Sequence, residues 1–284
     1  MSESPHTVGV IGGGRMGAGI AQSFATAGST VVVVENDRAA AAAALARVAA
    51  GLERAAERGK LPKPAEQVLD RVSMVTAVQS LPADTELVVE AVPETPGLKA
   101  RLLTAAERVV NERTVLATNT SSLSVTELSA ALNRPGRFLG MHFFNPVPAS
   151  ALVEIVVAPD TEERTVSAAL SWCRALGKQE VVVRDSPGFA SSRLGVALGL
   201  EAIRMVEESV AEAEAIDRAM TLGYRHPVGP LRLTDLVGLD VRLAIAEHLH
   251  ATLGERFAPP RLLREKVARG ELGRKTGQGF YTWP

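Results

Sequence analysis

Val8-Gly9-Val10-Ile11-Gly12-Gly13-Gly14-Arg15-Met16-Gly17 is the stretch whose reading decides the fold. Its apolar half, residues 8–11, reads as a short buried strand. The G-x-G-x-x-G spacing of Gly12, Gly14 and Gly17 follows at once. Residues 18–27 then read as a helix closed by Gly28, and residues 30–34 as a second strand that ends in the acid Glu35. Each glycine has a physical job in such a turn. Gly12 permits a tight strand-to-helix bend, Gly14 lets the backbone come close to a pyrophosphate, and Gly17 lets the helix pack near the strand. The helix start, with Arg15 and Met16 in its first turn, offers N–H groups and a positive dipole end to phosphates. A lone glycine pattern is a weak signal, but here strand, helix, second strand and acid come in the right order.

These observations imply a dinucleotide site. Glu35 falls where a carboxylate accepts both ribose hydroxyls. A 2′-phosphate would meet its negative charge, so the expected cofactor is NAD rather than NADP. The pattern continues outward from this unit. An alanine-rich helix spans residues 39–48 and runs on to Gly59, and the high helix propensity of alanine favours order over low complexity. Pro62 and Pro64 break it. Strands are read at 72–75, 87–92, 115–118, 138–144, 152–157 and 181–183, with a helix at 98–110. Strands alternating with helices imply an α/β fold, a doubly wound, mostly parallel sheet of the Rossmann type.

The pattern changes near Asp185, which predicts two domains, residues 1–185 and 186–284. Ser186 reads as an N-cap and Pro187 as a first-turn residue. A long, mostly apolar helix follows over 189–208. Further helices are read over 211–222, ending at Gly223, and over 236–253 and 260–269, with a loop at 227–230. A strand-like run is expected only at 279–283. The second domain is therefore read as smaller and all-helical. A helix apolar around most of its surface must be buried, which points to a homodimer formed through this domain.

Bulk composition excludes several classes. The chain has 284 residues, is 46% hydrophobic and 22% charged, and has a net charge of −1. These are values of an ordinary globular protein, with no global basic field for nucleic acid or a membrane surface. The one cysteine, Cys173, rules out an intrachain disulfide framework or a cysteine metal cluster. No apolar run reaches membrane-spanning length, and residues 1–7 are too short and polar for a signal peptide. The expectation is a reduced, cytoplasmic protein with no bound metal.

Three polar residues interrupt otherwise apolar patterns. Ser121 lies just past the strand 115–118, in Thr118-Asn119-Thr120-Ser121-Ser122, at the end of the sheet where open α/β folds bind ligands. Residues 119–122 either belong to a site or cap the next helix, a task Ser124 could perform alone. His142 sits in Gly140-Met141-His142-Phe143-Phe144-Asn145-Pro146, either as a hydrogen-bonded core residue or as a base. Glu154 interrupts Leu152-Val153-Glu154-Ile155-Val156-Val157, where an unpaired carboxylate is costly. A Pro-containing turn separates the two, so His142 and Glu154 can meet on adjacent strands. Such a pair orients the imidazole and makes it a general base near neutral pH. A nicotinamide, that base and a hydroxyl donor at Ser121 suffice for hydride transfer. A purely structural ion pair is the competing reading.

These residues carry a resemblance over nearly the whole chain. The sequence resembles the L-3-hydroxyacyl-CoA dehydrogenases of the short, single-function type also called 3-hydroxybutyryl-CoA dehydrogenase. The similar stretches are residues 12–22, 89–92, 118–123, 140–148, 187–194, 229–240 and 275–281. The resemblance implies NAD-dependent interconversion of a 3-hydroxyacyl-CoA and a 3-ketoacyl-CoA. It implies His142 as general base, Glu154 as its orienting carboxylate, and Ser121 as donor to the substrate oxygen. It also implies Glu94, Lys99, Ser121, Asn145 and Lys275 near the nicotinamide half of the cofactor, with Asn119 among the cofactor-binding residues. Arg54, Arg58 and Lys60 would meet the CoA phosphates, against the competing reading of a solvated helix face. One position departs from the family: Ser192 stands where Pro-Gly-Phe-x-x-Asn-Arg has its Asn. Serine donates and accepts a hydrogen bond but reaches less far, so the acyl pocket is where substrate choice would differ. The rival readings are a related dehydrogenase of a 3-hydroxy acid not linked to CoA, one acting on a carrier-protein-bound acyl group, and a structural protein of the lens type that has lost catalysis.

Overall fold

The structure, a computed structural model, describes residues 4–284. Residues 1–3 of the polar N-terminal segment lie outside the described residues. The chain divides into two compact units, one reaching to Asp185 and one from Ser186 to Pro284.

The first unit is built on one sheet. Its strands are β1 (Thr7–Ile11), β2 (Thr30–Val34), β3 (Val72–Val75), β4 (Leu87–Glu90), β5 (Val115–Thr118), β6 (Phe138–Phe143), β7 (Leu152–Val157) and β8 (Gln179–Arg184). Their order is β3-β2-β1-β4-β5-β6-β7-β8. All neighbours pair in parallel except β6 and β7, which are antiparallel. The order reverses between β1 and β4, which makes the crevice outside their carboxyl ends the expected ligand site of a doubly wound sheet. The strands β4 and β5 are buried along their whole length, and their continuous apolar runs suit a sheet covered on both faces. The covering helices are α1 (Arg15–Ala27), α2 (Arg38–Glu57), α3 (Ala65–Leu69), α4 (Pro96–Val109), α5 (Val125–Ser129) and α6 (Glu163–Ala175). Asp37 starts α2 by accepting a hydrogen bond from the Ala40 N–H at 2.8 Å, and Gly28 ends α1 with φ 112°, as αL caps require. Ile20 and Phe24 of α1 pack with Val8, Val10, Val31 and Val33 in the core.

The second unit is helical: α7 (Ser191–Glu207), α8 (Ala213–Arg218), α9 (Pro230–Val237), α10 (Leu239–Leu253) and α11 (Arg261–Ala268). Val196, Leu200, Ile203, Leu231, Leu239 and Leu249 form its core. Several elements depart from the sequence reading. Ser186 does not cap α7: Gly188 (φ 75°) and Phe189 (φ 50°) both take left-handed backbone, so the helix cannot start until Ser191. Residues 211–222 are a short α8 followed by a π-type turn, Ala219–Gly223. The run 236–253 is two helices, because Gly238 (φ 106°) breaks the backbone between α9 and α10, and α9 begins at Pro230 inside the segment read as loop. Residues 279–283 form no strand; Gln278 makes isolated bridges to Gly273 and Thr282.

Candidate active site

The glycine loop fits its expected jobs. Gly12 has φ 94°, and a Cβ on Gly17 would stand 1.7 Å from the Gly12 carbonyl oxygen, an overlap no relaxation absorbs. A Cβ on Gly14 would meet nothing within 4 Å, so the open space a phosphate needs is present at that position. Gly13, which the spacing rule ignores, is also constrained: a Cβ there would lie 2.4 Å from Ala44 Cβ on α2. Its N–H donates to Glu35 Oε1 at 2.7 Å, which holds the acid at the end of β2 against the loop. The chemistry of this set, bare loop amides, a helix start and a carboxylate beyond the second strand, matches what a dinucleotide requires.

At the carboxyl end of β6, beside the amino end of β7, antiparallel register puts His142 directly opposite Glu154. Nδ1 of His142 lies 2.8 Å from Oε2 of Glu154. Both side chains are buried, at 8% and 1% exposure. The imidazole also packs on Phe144, with ring centroids 4.5 Å apart. A carboxylate only accepts, so Nδ1 carries the hydrogen and Nε2 the lone pair.

Ser121 is held by a second acid. Oε1 of Glu94 accepts from the Ser121 N–H at 2.6 Å, from Ser121 Oγ at 3.0 Å and from Thr120 Oγ1 at 3.0 Å. Beneath it, Lys99 is 1% exposed and ion-paired to Glu90 at 2.8 Å and to Glu94 at 3.3 Å. Glu90 is fully buried and also accepts from Thr118 Oγ1 at 2.7 Å and from the Val92 N–H at 2.6 Å. Lys99 donates as well to the Val92 carbonyl at 3.1 Å. These three partners fix the buried ammonium beside Glu94. Helix capping is done elsewhere: Ser124 Oγ accepts from the Glu127 N–H at 3.1 Å. Asn119 joins β5 to β6 by accepting the Phe143 N–H at 2.9 Å.

Beside α1 and α2 lies a cleft of about 650 Å3, a size usual for small-molecule sites. Arg15, Arg47, Arg54, Arg58, Lys60 and Asn145 line it. Arg54, Arg58 and Lys60 are exposed and line one wall of this cleft. Arg47, which the sequence reading passed over, reaches the glycine loop: its Nη1 donates to the Gly13 carbonyl at 3.2 Å. Met16 packs against the sheet core. In the second unit, Ser192 lies in the first turn of α7, and Lys275 is paired with Asp240 at 2.5 Å.

Fold and site together define a nucleotide-dependent oxidoreductase. The chain matches the sequence profiles of the 3-hydroxyacyl-CoA dehydrogenase NAD-binding domain over residues 7–186 and of the 3-hydroxyacyl-CoA dehydrogenase C-terminal domain over residues 188–283. It belongs to the 3-hydroxyacyl-CoA dehydrogenase family, and its first unit is the family's NAD-binding domain. A probable 3-hydroxybutyryl-CoA dehydrogenase of Deinococcus radiodurans is 43% identical over 97% of this chain and 99% of its own length. The mitochondrial hydroxyacyl-coenzyme A dehydrogenase of Rattus norvegicus is 41% identical over 96% of this chain and 90% of its own. The crystal structure of (S)-3-hydroxybutyryl-CoA dehydrogenase from Ralstonia eutropha superposes with a TM-score of 0.93 at 41% identity, covering 99% of this chain and all of that one.

Proposed function

We propose that this protein interconverts an (S)-3-hydroxyacyl-CoA and the 3-ketoacyl-CoA with NAD, acting on short chains such as 3-hydroxybutyryl-CoA and acetoacetyl-CoA. The observation that carries this reading is the buried His142–Glu154 pair in register across β6 and β7. His142 takes the 3-hydroxyl proton at Nε2 in the oxidative direction and returns it in the reductive one. Glu154 fixes the tautomer and stabilises the imidazolium that forms. In a site this buried the charge-assisted bond is stronger than a neutral one, by about twofold. Ser121, whose N–H and hydroxyl both donate to Glu94, would serve the reacting oxygen by turning its one O–H from Glu94 to the substrate, its N–H staying on the acid. NAD, when bound, supplies the hydride acceptor. Gly12, Gly14, Gly17, Arg15 and Met16 would form its phosphate turn, Glu35 would take the ribose, and Asn119, Asn145 and Lys275 would lie toward its nicotinamide half. Glu94 and Lys99, held together by their ion pair, would lie toward that half as well. Arg54, Arg58 and Lys60 would take the CoA phosphates in the basic cleft.

Residues 1–185 are read as the cofactor domain, and residues 186–284 as a domain of substrate binding, with Ser192, and of homodimer formation. The dimer reading is supported by Leu222, Tyr224 and Leu194, which are 78%, 75% and 71% exposed, since exposed apolar surface favours association. A reducing compartment, the cytoplasm, suits a chain with a single buried cysteine. Among the described residues no helix is long and apolar enough to cross a membrane.

The test is NADH oxidation by the purified protein with acetoacetyl-CoA, against free acetoacetate, with NADPH as control. We expect turnover with the CoA ester and NADH, and a rate lower by at least about a hundredfold when CoA is absent, because remote binding energy is lost. Equal or better turnover of the free acid would overturn the substrate class.

A further inference from the structure

We propose that the amino ends of β5 and β6 carry a second anion site, formed by Arg113, Arg134, Arg137 and Arg164, which takes a phosphorylated small molecule through its phosphate groups. The site is independent of the activity proposed above. A cleft of about 520 Å3 opens there, lined by these four arginines with Glu112 and Glu162. Its size falls within the range of small-molecule sites. Arg137 directly precedes β6, five residues before His142. That is roughly 16 Å along an extended strand, so the cleft lies at the end of the sheet opposite the His142 chemistry.

Of the nearby carboxylates, Glu107 and Glu162 are each taken by one of the four arginines, and Glu112 lines the cleft with no ion pair among the described residues. Glu107 is occupied by Arg134, pairing with its guanidinium at 3.6 Å and accepting the Arg134 N–H at 2.7 Å and the Asn133 N–H at 2.9 Å. Glu162 is taken by a close contact with Arg164. Arg137 and Arg113 have no carboxylate within ion-pair distance among the described residues. The guanidinium of Arg137 donates only to neutral oxygens, the Arg113 carbonyl and Thr165 Oγ1, and its Nε is buried with no hydrogen-bond partner. Burial, and after it the neighbouring Arg164, holds Arg137 below its ordinary range, with Glu162 opposing. Like charges drawn into one concave wall cost free energy, and an anion placed among them removes that cost. The thirteen-residue α6 also begins in this wall, with Glu162 at its N-cap position and Glu163 in its first turn, so its N-terminus already faces two carboxylates.

The chemistry selects phosphate. Planar guanidinium forks bind phosphate oxygens in pairs, and a phosphate offers enough oxygens to be shared by several forks. The lining holds no aromatic side chain, so nothing there would stack a base, and recognition falls on the phosphates themselves.

The probe is inorganic pyrophosphate, titrated calorimetrically at fixed ionic strength. The R54Q/R58Q background saturated with NAD is used so that neither the basic cleft beside α2 nor the glycine loop contributes. We expect one saturable site. Adding R137Q should weaken it about tenfold and adding R164Q about threefold, as loss of charge-assisted bonds to phosphate implies. Orthophosphate should bind the same site more weakly, and citrate, matched in charge but lacking phosphate, at least about tenfold more weakly than pyrophosphate. Arg164 is largely exposed and pairs only with Glu162, so R164Q keeps the test valid if R137Q fails to fold. No saturable binding in the R54Q/R58Q background, or an affinity unchanged by R164Q, overturns the site. Citrate binding as tightly as pyrophosphate overturns the phosphate assignment.

Discussion

Each unit buries carboxylates, and the two units use them differently. In the second unit Asp235 is 1% exposed and accepts from the Phe280 N–H at 2.9 Å, the Tyr281 N–H at 2.9 Å and Trp283 Nε1 at 2.8 Å. Asp217 likewise accepts from the Leu231 and Arg232 N–H groups and from Tyr281 Oη at 2.7 Å. These donors never exchange charge near neutral pH, and burial together with Asp217 pushes the Tyr281 hydroxyl up from its ordinary value. The two aspartates pin the C-terminal segment to α8 and α9. In the first unit Glu154 faces an imidazole and Glu94 faces a serine hydroxyl and a lysine. Those partners can move a proton or present one. An acid bonded mainly to backbone and indole N–H groups fastens a loop, whereas the buried Glu154 on an imidazole and the more exposed Glu94 on a serine hydroxyl each aim a reactive group.

That contrast can be broken by substitution. The largest effect is expected from Asp235→Ala. It removes three hydrogen bonds to a charged group, each worth about 1.5–3 kcal/mol, a total comparable to the stability of a small domain. Hydrogen exchange should show the second unit open while the sheet of the first stays protected. If both units stayed protected, the fastening role would be wrong. Next comes His142→Gln, expected to lower kcat about a thousandfold, roughly 4 kcal/mol, with NADH affinity and melting temperature little changed. Glu154→Gln should follow at about a hundredfold, since the imidazole keeps its place but loses the charge that stabilises its protonated form. Glu94→Gln should cost about tenfold in kcat, because Ser121 retains a weaker, neutral acceptor. A melting temperature that fell more in Glu154→Gln than in Asp235→Ala would reverse the comparison. Smallest of all, Cys173 should resist thiol reagents at pH 8 until the chain unfolds. Burial first, with Glu180 after it, pushes its thiol up to about 12. The raised value favours the neutral, unreactive form throughout the ordinary range.

The difference between the units also governs what could be read from the residues. His142 and Glu154 were visible because each breaks an apolar strand, and a twelve-residue separation with a prolyl turn suits adjacent strands. Glu90 carries the same signal in Leu87-Val88-Val89-Glu90, yet it was read only as part of a strand. Its partner Lys99 sits on a helix, where only the family resemblance singles it out and nothing local points to Glu90. The clamp of Glu94 on Ser121 spans 27 residues and two separate loops, so no local pattern announces it. Gly13 looked like a filler between two motif glycines, and only the approach of Ala44 on α2 gives it a role. Asp217 and Asp235 were missed because an aspartate on an amphipathic helix is ordinary until tertiary packing buries it. The elements misread in the second unit share one cause. Gly188, Phe189 and Gly238 take left-handed backbone, and hydrophobic periodicity runs through such breaks without marking them. The alternating strands and helices of the first unit were legible because period and turn residues agree there.

The most direct test of the account is a double-mutant cycle on His142 and Glu154, read as the single-turnover rate of NADH oxidation by acetoacetyl-CoA. If Glu154 acts only by orienting and charging His142, then once His142 is glutamine, adding Glu154→Gln should change the rate by less than about threefold, despite a hundredfold effect on its own. Two losses that multiply to about a hundred-thousandfold would mean that the acid and the imidazole serve the reaction separately, and would contradict the paired base.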